Sequence, residues 1–106
     1  MPTYKVLAQS APSATTATTL YTAGNAVIVS SLNVSNTGSA ADTIRIAVRP
    51  AGATLANQHY IVYGLQIPSG SFLTYTGGIT LANTDVITIY STTGTSSFSA
   101  FGSEAN

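Results

Sequence analysis

The stretch Asp42–Arg49, DTIRIAVR, decides the fold. Ile44, Ile46 and Val48 fall on one side of an extended chain, and Thr43, Arg45, Ala47 and Arg49 on the other. Successive side chains of a strand point to opposite faces, so this alternation predicts a strand buried on one side only. Pro50 lacks the N–H that a ladder needs, and Pro50-Ala51-Gly52 predicts the turn that ends the strand. Just upstream, Ala26–Asn36, AVIVSSLNVSN, predicts a second, longer strand. Its apolar phase slips at Ser30-Ser31, from Val27/Val29 to Leu32/Val34. A bulge or a move between sheets would restore burial. Asn36-Thr37-Gly38-Ser39 supplies the turn between the two strands.

The same signals extend outward in both directions. Thr3–Gln9, Thr18–Thr22, Gln58–Leu65, Ser71–Thr76, Asp85–Ser91 and Ser96–Gly102 read as further strands. Pro68-Ser69-Gly70, Gly77-Gly78 and Thr93-Gly94 punctuate them. There is no fixed repeat period. Ala11–Thr19, APSATTATT, has no apolar stripe, and its β-branched threonines disfavour a helix, so it reads as an extended arm. The expected fold is all-β: an antiparallel two-sheet β-sandwich of about eight short strands, jelly-roll or immunoglobulin-like. The absence of Cys and Trp argues against a true antibody-type domain. The chain is expected to form a single domain overall, with an N-terminal strand and extended arm over residues 1–19 and the β-sandwich domain over residues 20–106.

Composition removes several functions. The 106 residues carry three Lys+Arg and three Asp+Glu, a net charge of zero with 6% charged residues. Soluble domains usually hold about 25%. A basic nucleic-acid surface is not expected, because phosphate neutralisation needs clustered cations. Disorder is not expected either, since 44% of residues are hydrophobic. With no cysteine there is no disulfide framework and no thiol chemistry. The start, MPTYKVLAQS, lacks the pattern of a secretory signal, and apolar runs such as Ala26–Val29 fall far short of the ~18 residues of a membrane helix. No membrane partner is expected. A nearly uncharged, Ser/Thr-rich surface favours association over colloidal separation.

Catalytic material is sparse. His59 is the one histidine, and Asp42, Asp85 and Glu104 are the three carboxylates. No Gly-x-Ser-x-Gly elbow marks a nucleophile among the 13 serines. An enzyme is therefore not expected, and no catalytic residue is assigned. One His without Cys cannot build a structural zinc site, and no Asp-x-Asp cluster suggests calcium. Asp42 and Asp85 read as turn residues bonded to local backbone. Gly77-Gly78 opens no helix, so no phosphate loop is read there. No cofactor is expected.

The remaining candidates belong to a protein interface: Tyr4, Arg45, Arg49, His59 and Tyr60. Arg45 and Arg49 lie on the face opposite Ile44/Ile46/Val48 and are two of only three basic residues. They suit a contact with a partner carboxylate, and equally the protection of a strand against edge pairing. Tyr60 and Tyr63 have opposite parity in one strand, so at most one points into the core. The other is exposed or at an interface, where Tyr is favoured. His59, at the start of that strand, reads as a surface or interface residue.

Three segments carry a family resemblance: LYTAGNAVIVSSLNVSNTG, DTIRIAVRPAG and ITLANTDVITIYSTTG. Together they resemble small β-sandwich structural proteins of tailed bacteriophages, most clearly from Leu20 to the end. Such proteins commonly carry Pro in the first turn, where this chain has Ala23-Gly24-Asn25. The resemblance implies a virion structural protein made in the cytoplasm of a bacterial host. Its leading form is a capsid decoration, or cement, protein on the outer capsid, binding across major capsid protein subunits. A homo-oligomer is implied, with a trimer at capsid threefold positions by analogy, and the residue 1–19 arm could add a strand to a neighbour's sheet. A tail, baseplate or fibre-associated module of the same virion is the alternative. A carbohydrate-binding sandwich is a third reading, and would need exposed aromatic and polar groups converging on one patch.

Overall fold

The structure is a computed structural model that describes residues 3–76 and 78–104, with Thr3 and Tyr4 placed by their backbone alone. Asp42–Arg49 forms the predicted strand and lies inside a sheet, paired on both sides. Ile44 and Ile46 are fully buried, and Val48 packs against the core. In chain order the strands are β1 (Thr3–Ser10), β2 (Thr18–Thr22), β3 (Val27–Asn36), β4 (Asp42–Arg49), β5 (Tyr60–Ile67), β6 (Phe72–Tyr75), β7 (Ile79–Leu81), β8 (Val86–Ser91) and β9 (Ser96–Glu104). One sheet has the order β1-β9-β3-β6, with β7 also on β3; the other has the order β2-β8-β4-β5.

Every strand pairing is antiparallel. Strand β1 pairs β9, β2 pairs β8, β3 pairs β6 and β7, and β4 pairs β5. The chain thus folds as one long hairpin doubled on itself. Pairing β3 with β9 and β4 with β8 then rolls it into two facing sheets. This is the strand order of a jelly roll, which settles the choice between jelly roll and immunoglobulin-like topology. Strands β6 and β7 share one edge of β3, against Leu32–Ser35 and Val27–Val29 respectively. They act as one interrupted strand, which reconciles nine segments with an eight-strand roll. Ile79–Leu81 was not among the strands read from the sequence, because three residues after Gly77-Gly78 are too few to show a period.

The apolar faces of both sheets meet in one core, with Leu32, Val34, Ile44, Ile46, Ile87, Ile89, Phe98 and Ala100 fully buried. The phase slip in β3 is a bulge, not a sheet crossing. Its register against β9 shifts between Val29 and Ser31, and the strand stays in one sheet. The bulge drives the β3 backbone into Gly102. A Cβ there would lie 2.0 Å from the Ile28 carbonyl oxygen and 2.9 Å from Val29 Cα.

Residues 1–19 require a correction over their described part. Thr3–Ser10 does not extend away as an arm but pairs with β9 from Thr3↔Glu104 to Ser10↔Phe98. The crossing to β2 is pinned by a parallel bridge between Ala14 and Ser91, with the Thr15 N–H donating to the Ser91 carbonyl at 2.9 Å. The reason is backbone satisfaction. A free strand would leave the outer edge of β9 unpaired.

One end of the roll is laced by two buried polar side chains. Asn36, 2% exposed, donates from Nδ2 to the Ala40 and Ile67 carbonyls at 2.8 and 2.9 Å. Its Oδ1 accepts from the Gly38 N–H at 3.0 Å and the Thr95 hydroxyl at 2.9 Å. That exhausts the hydrogen-bonding capacity of an Asn side chain. Asp42, 1% exposed, accepts the Ser91 and Ser96 hydroxyls and the Thr93 N–H. These are partners about fifty positions away, not the local backbone that the sequence suggested for Asp42. Burial pushes the Asp42 carboxyl up, but the bonds from Ser91, Ser96 and Thr93 outweigh it and hold it below the ordinary 3.8.

Two outcomes follow for stability. Gly102→Ala forces overpacking against backbone and should lower unfolding free energy by about 1–3 kcal/mol in a urea titration, whereas Gly24→Ala, with open space around its Cβ, should cost far less. Asp42→Ala should cost about 3 kcal/mol, since three bonds to a charged acceptor are lost and buried hydroxyls are orphaned. Because the folded carboxyl titrates below its ordinary value, its stabilisation is complete above pH ~4 and disappears as pH falls through the folded value. Acid titrations of the wild type and Asp42→Asn should therefore converge at low pH.

Candidate functional site: an arginine between tyrosines on the outer face

The outer face of the β2-β8-β4-β5 sheet holds the candidate site. Arg45 in β4 stands opposite Tyr63 of β5 on one side and Tyr90 of β8 on the other. Three neighbouring strands thus present Tyr, Arg and Tyr at one level. The Arg45 guanidinium carbon lies 4.6 Å from the Tyr63 ring centroid and 4.4 Å from that of Tyr90. Both distances fall within cation–π range. Tyr60 meets Tyr63 edge to face, with centroids 4.8 Å apart and planes at 80°. Tyr63 is 63% exposed, so the cluster reaches solvent.

Two bulges in β5 assemble this cluster. Its register against β4 skips Gly64 and then Ile61. Gly64 has φ +73°, the left-handed region that glycine enters without a Cβ penalty. Skipping Ile61 brings Tyr60 and Tyr63 onto one face despite their opposite parity. In keeping with the limit of one inward ring, neither enters the core, and both lie outside, in contact. Tyr63 and Tyr90 were not among the assigned interface candidates. Counting by twos cannot register Tyr63 against Arg45 across the Gly64 bulge, and the unbroken β4–β8 pairing that sets Tyr90 beside Arg45 is a long-range partnership that no local pattern reports.

The other candidates disperse. Arg49 does not join Arg45; its Nε donates to the Thr88 hydroxyl at 2.9 Å and its Nη1 to the Ala53 carbonyl at 3.1 Å. It clamps the turn after β4. His59 is buried, at 9% exposure, in the 3-10 turn Asn57–His59, and its Nδ1 accepts the Ala56 N–H at 3.0 Å. That placement corrects its reading as a surface or interface residue: it staples a turn. Tyr4 lies in β1 opposite Ser103, and its side chain falls outside the described set.

The remaining charges are satisfied within the chain. Asp85 accepts the Ala51 and Ala82 N–H groups at 2.9 Å each, which hold its carboxyl below the ordinary range. Glu104 pairs with Lys5 at 2.5 Å and accepts the Tyr21 hydroxyl. The Lys5 contact, then the Tyr21 bond, hold Glu104 low. Burial, then the Glu104 bond, push Tyr21 up to about 12. Among the described residues no group of three His, Cys, Asp or Glu could hold a metal. A shallow groove beside β1 and β9, lined by Gln9, Ser10, Ala11, Ser97, Phe98 and Ser99, holds no ionisable side chain. No family model and no curated protein matches this chain.

The cluster should contribute little to folding. Tyr63→Ala is expected to lower unfolding free energy by only about 1 kcal/mol, the size of one exposed cation–π contact with its edge-to-face neighbour. Thermal unfolding followed by circular dichroism checks this. A loss several times larger would make the cluster part of the core.

Proposed function

We propose that this chain is a structural protein of a tailed-bacteriophage virion, in its leading form a capsid decoration protein that binds across major capsid protein subunits through the outer face of the β2-β8-β4-β5 sheet. The observation that carries this reading is Arg45 held between Tyr63 and Tyr90 on an otherwise weakly charged surface. Arginine and tyrosine are enriched at the energetic centres of protein interfaces, tyrosine because it brings large contact area at small conformational cost and arginine because its planar fork is pre-organised for bidentate bonds. The mechanism is binding energy alone. A subunit that holds two others together raises the free energy of separating them by mass action.

Jelly rolls serve capsids and lectins alike, so the fold does not choose between protein and sugar. The ring faces favour protein. A sugar stacks on an open aromatic face, and here Arg45 lies against a face of both Tyr63 and Tyr90. Strand addition by residues 1–19 is not part of the proposal, since Thr3–Ser10 is already paired to β9.

The test is a comparison of phage particles with and without the gene for this chain. Image reconstruction should place the chain on the head at a copy number proportional to the capsid subunits. Particles without it should release DNA at a lower temperature, and added purified protein should restore them. Density confined to the tail would move the assignment to a tail, baseplate or fibre module, and absence from purified particles would end it.

A further inference from the structure

We infer that Arg45 is a preformed receptor for a carboxylate, and that its occupant is an acidic side chain on the surface of the partner protein. The inference rests on the virion reading above and deepens it by naming the chemistry of the contact.

The argument starts from what each cation does. Lys5 is paired with Glu104, and Arg49 donates to Thr88 and Ala53. Arg45 donates to no protein acceptor among the described residues, and its Nε is buried without a partner. The two rings of Tyr63 and Tyr90 hold the guanidinium at 4.6 and 4.4 Å without neutralising it. Only Nε is buried among its unpaired nitrogens, so the two terminal nitrogens remain to receive a ligand end-on. A planar guanidinium presenting two N–H donors matches a carboxylate, and the stacking means little side-chain freedom is lost on binding.

The occupant follows from the rest of the chain. Among the described residues a second copy is a poor source of the carboxylate, because Asp42 is buried and Asp85 and Glu104 each already hold two partners within the chain. The site lies on a sheet face, not in a cavity. It therefore suits a group that projects from a larger surface and has neighbours to add contact around it, with Tyr60 and Tyr63 as the apolar rim. With a net charge of zero the chain offers no long-range field, so recognition depends on the short-range fit of this one cation.

Two measurements test it. On the isolated protein, nuclear magnetic resonance should show the Arg45 guanidinium and the Tyr63 and Tyr90 ring signals moving saturably with sodium acetate, but not with sodium chloride at equal ionic strength. Arg45→Gln should abolish the response. An equal response to both salts overturns the receptor. On particles stripped of the chain, Arg45→Gln and Arg45→Lys should each bind at least about tenfold more weakly than wild type, since Lys keeps the charge but loses the fork. Wild-type-like binding by Arg45→Gln overturns the acidic protein occupant, as does a response to sodium glucuronate far stronger than to acetate, which assigns the site to an acidic sugar. If wild-type protein does not bind particles at all, the virion reading fails with this occupant, while the acetate titration still decides whether the receptor exists.

Discussion

The structure depends on two buried polar side chains, Asn36 and Asp42, at one end of the roll. Asn36 ends β3 and Asp42 begins β4, so they flank the turn that carries the chain from one sheet to the other. Asn36 reaches the end of β5 through the Ile67 carbonyl, and Asp42 reaches the end of β8 and the start of β9 through Ser91 and Ser96. Both sheets are thereby tied at the same end. A small secreted domain often solves this problem with disulfides; this chain has no cysteine and uses hydroxyl-to-carboxylate bonds instead. Such a network stabilises only when complete, because any unpaired member is a buried polar group without solvent. Here the two side chains are satisfied, Asn36 by three backbone groups and the Thr95 hydroxyl, and Asp42 by the strand-end hydroxyls of Ser91 and Ser96 with the Thr93 N–H.

That network fixes where β4 sits, and β4 fixes the site. Held at Asp42 and paired on both sides, it carries Arg45 three residues further along, at the level of Tyr63 and Tyr90. The inner side chains Ile44 and Ile46 lock the strand's rotation, since a slip by one residue would bury Arg45 and expose the core. The arginine is positioned by the same packing that folds the domain. The tyrosines on either side then flank its head group, at 4.6 and 4.4 Å from their ring centroids.

Much of this was legible in the residues. The alternation in DTIRIAVR gave β4, its buried face and the outward side of Arg45. The Ser30-Ser31 phase slip located the irregularity in β3 but left open a bulge or a move between sheets, and the structure has the bulge. What period-two reading could not give was the consequence of bulges for neighbours. Tyr60 and Tyr63 share a face only because Ile61 between them is skipped, and a bulge leaves the same local sequence on either side. Nor could local reading find the partners of Asp42, which come from Ser91, Thr93 and Ser96 across the fold. His59 misled because one histidine in a polar segment looks accessible, whereas it closes its own three-residue turn and bonds back to the Ala56 N–H, which leaves it 9% exposed. The Thr-rich segment 11–19 misled for a related reason. Propensity reports the lack of a helix, but not that the strands on either side of it are taken up in opposite sheets.

The edges of the roll bear on why the proposed contact is placed on a face. Strand β1 is bulged at Leu7, β2 at Leu20 and β5 at both Ile61 and Gly64, while the β6/β7 edge is broken between Tyr75 and Ile79. Interrupted edges cannot template another strand, and natural sheets use such breaks to stay unpaired. A protein with 6% charged residues has few other defences against uncontrolled pairing. With each edge interrupted, the sheet faces are the continuous surfaces of the roll. The outer face of the β1-β9-β3-β6 sheet offers mainly uncharged groups such as Asn33, Thr74, Gln9 and Ser99, whose side chains hydrogen-bond one another in pairs. The other sheet offers a cation that the chain leaves without an acceptor. In the proposed contact, specificity would rest on that one unmet interaction rather than on many weak ones, because a stacked charge discriminates strongly against partners that cannot complete it.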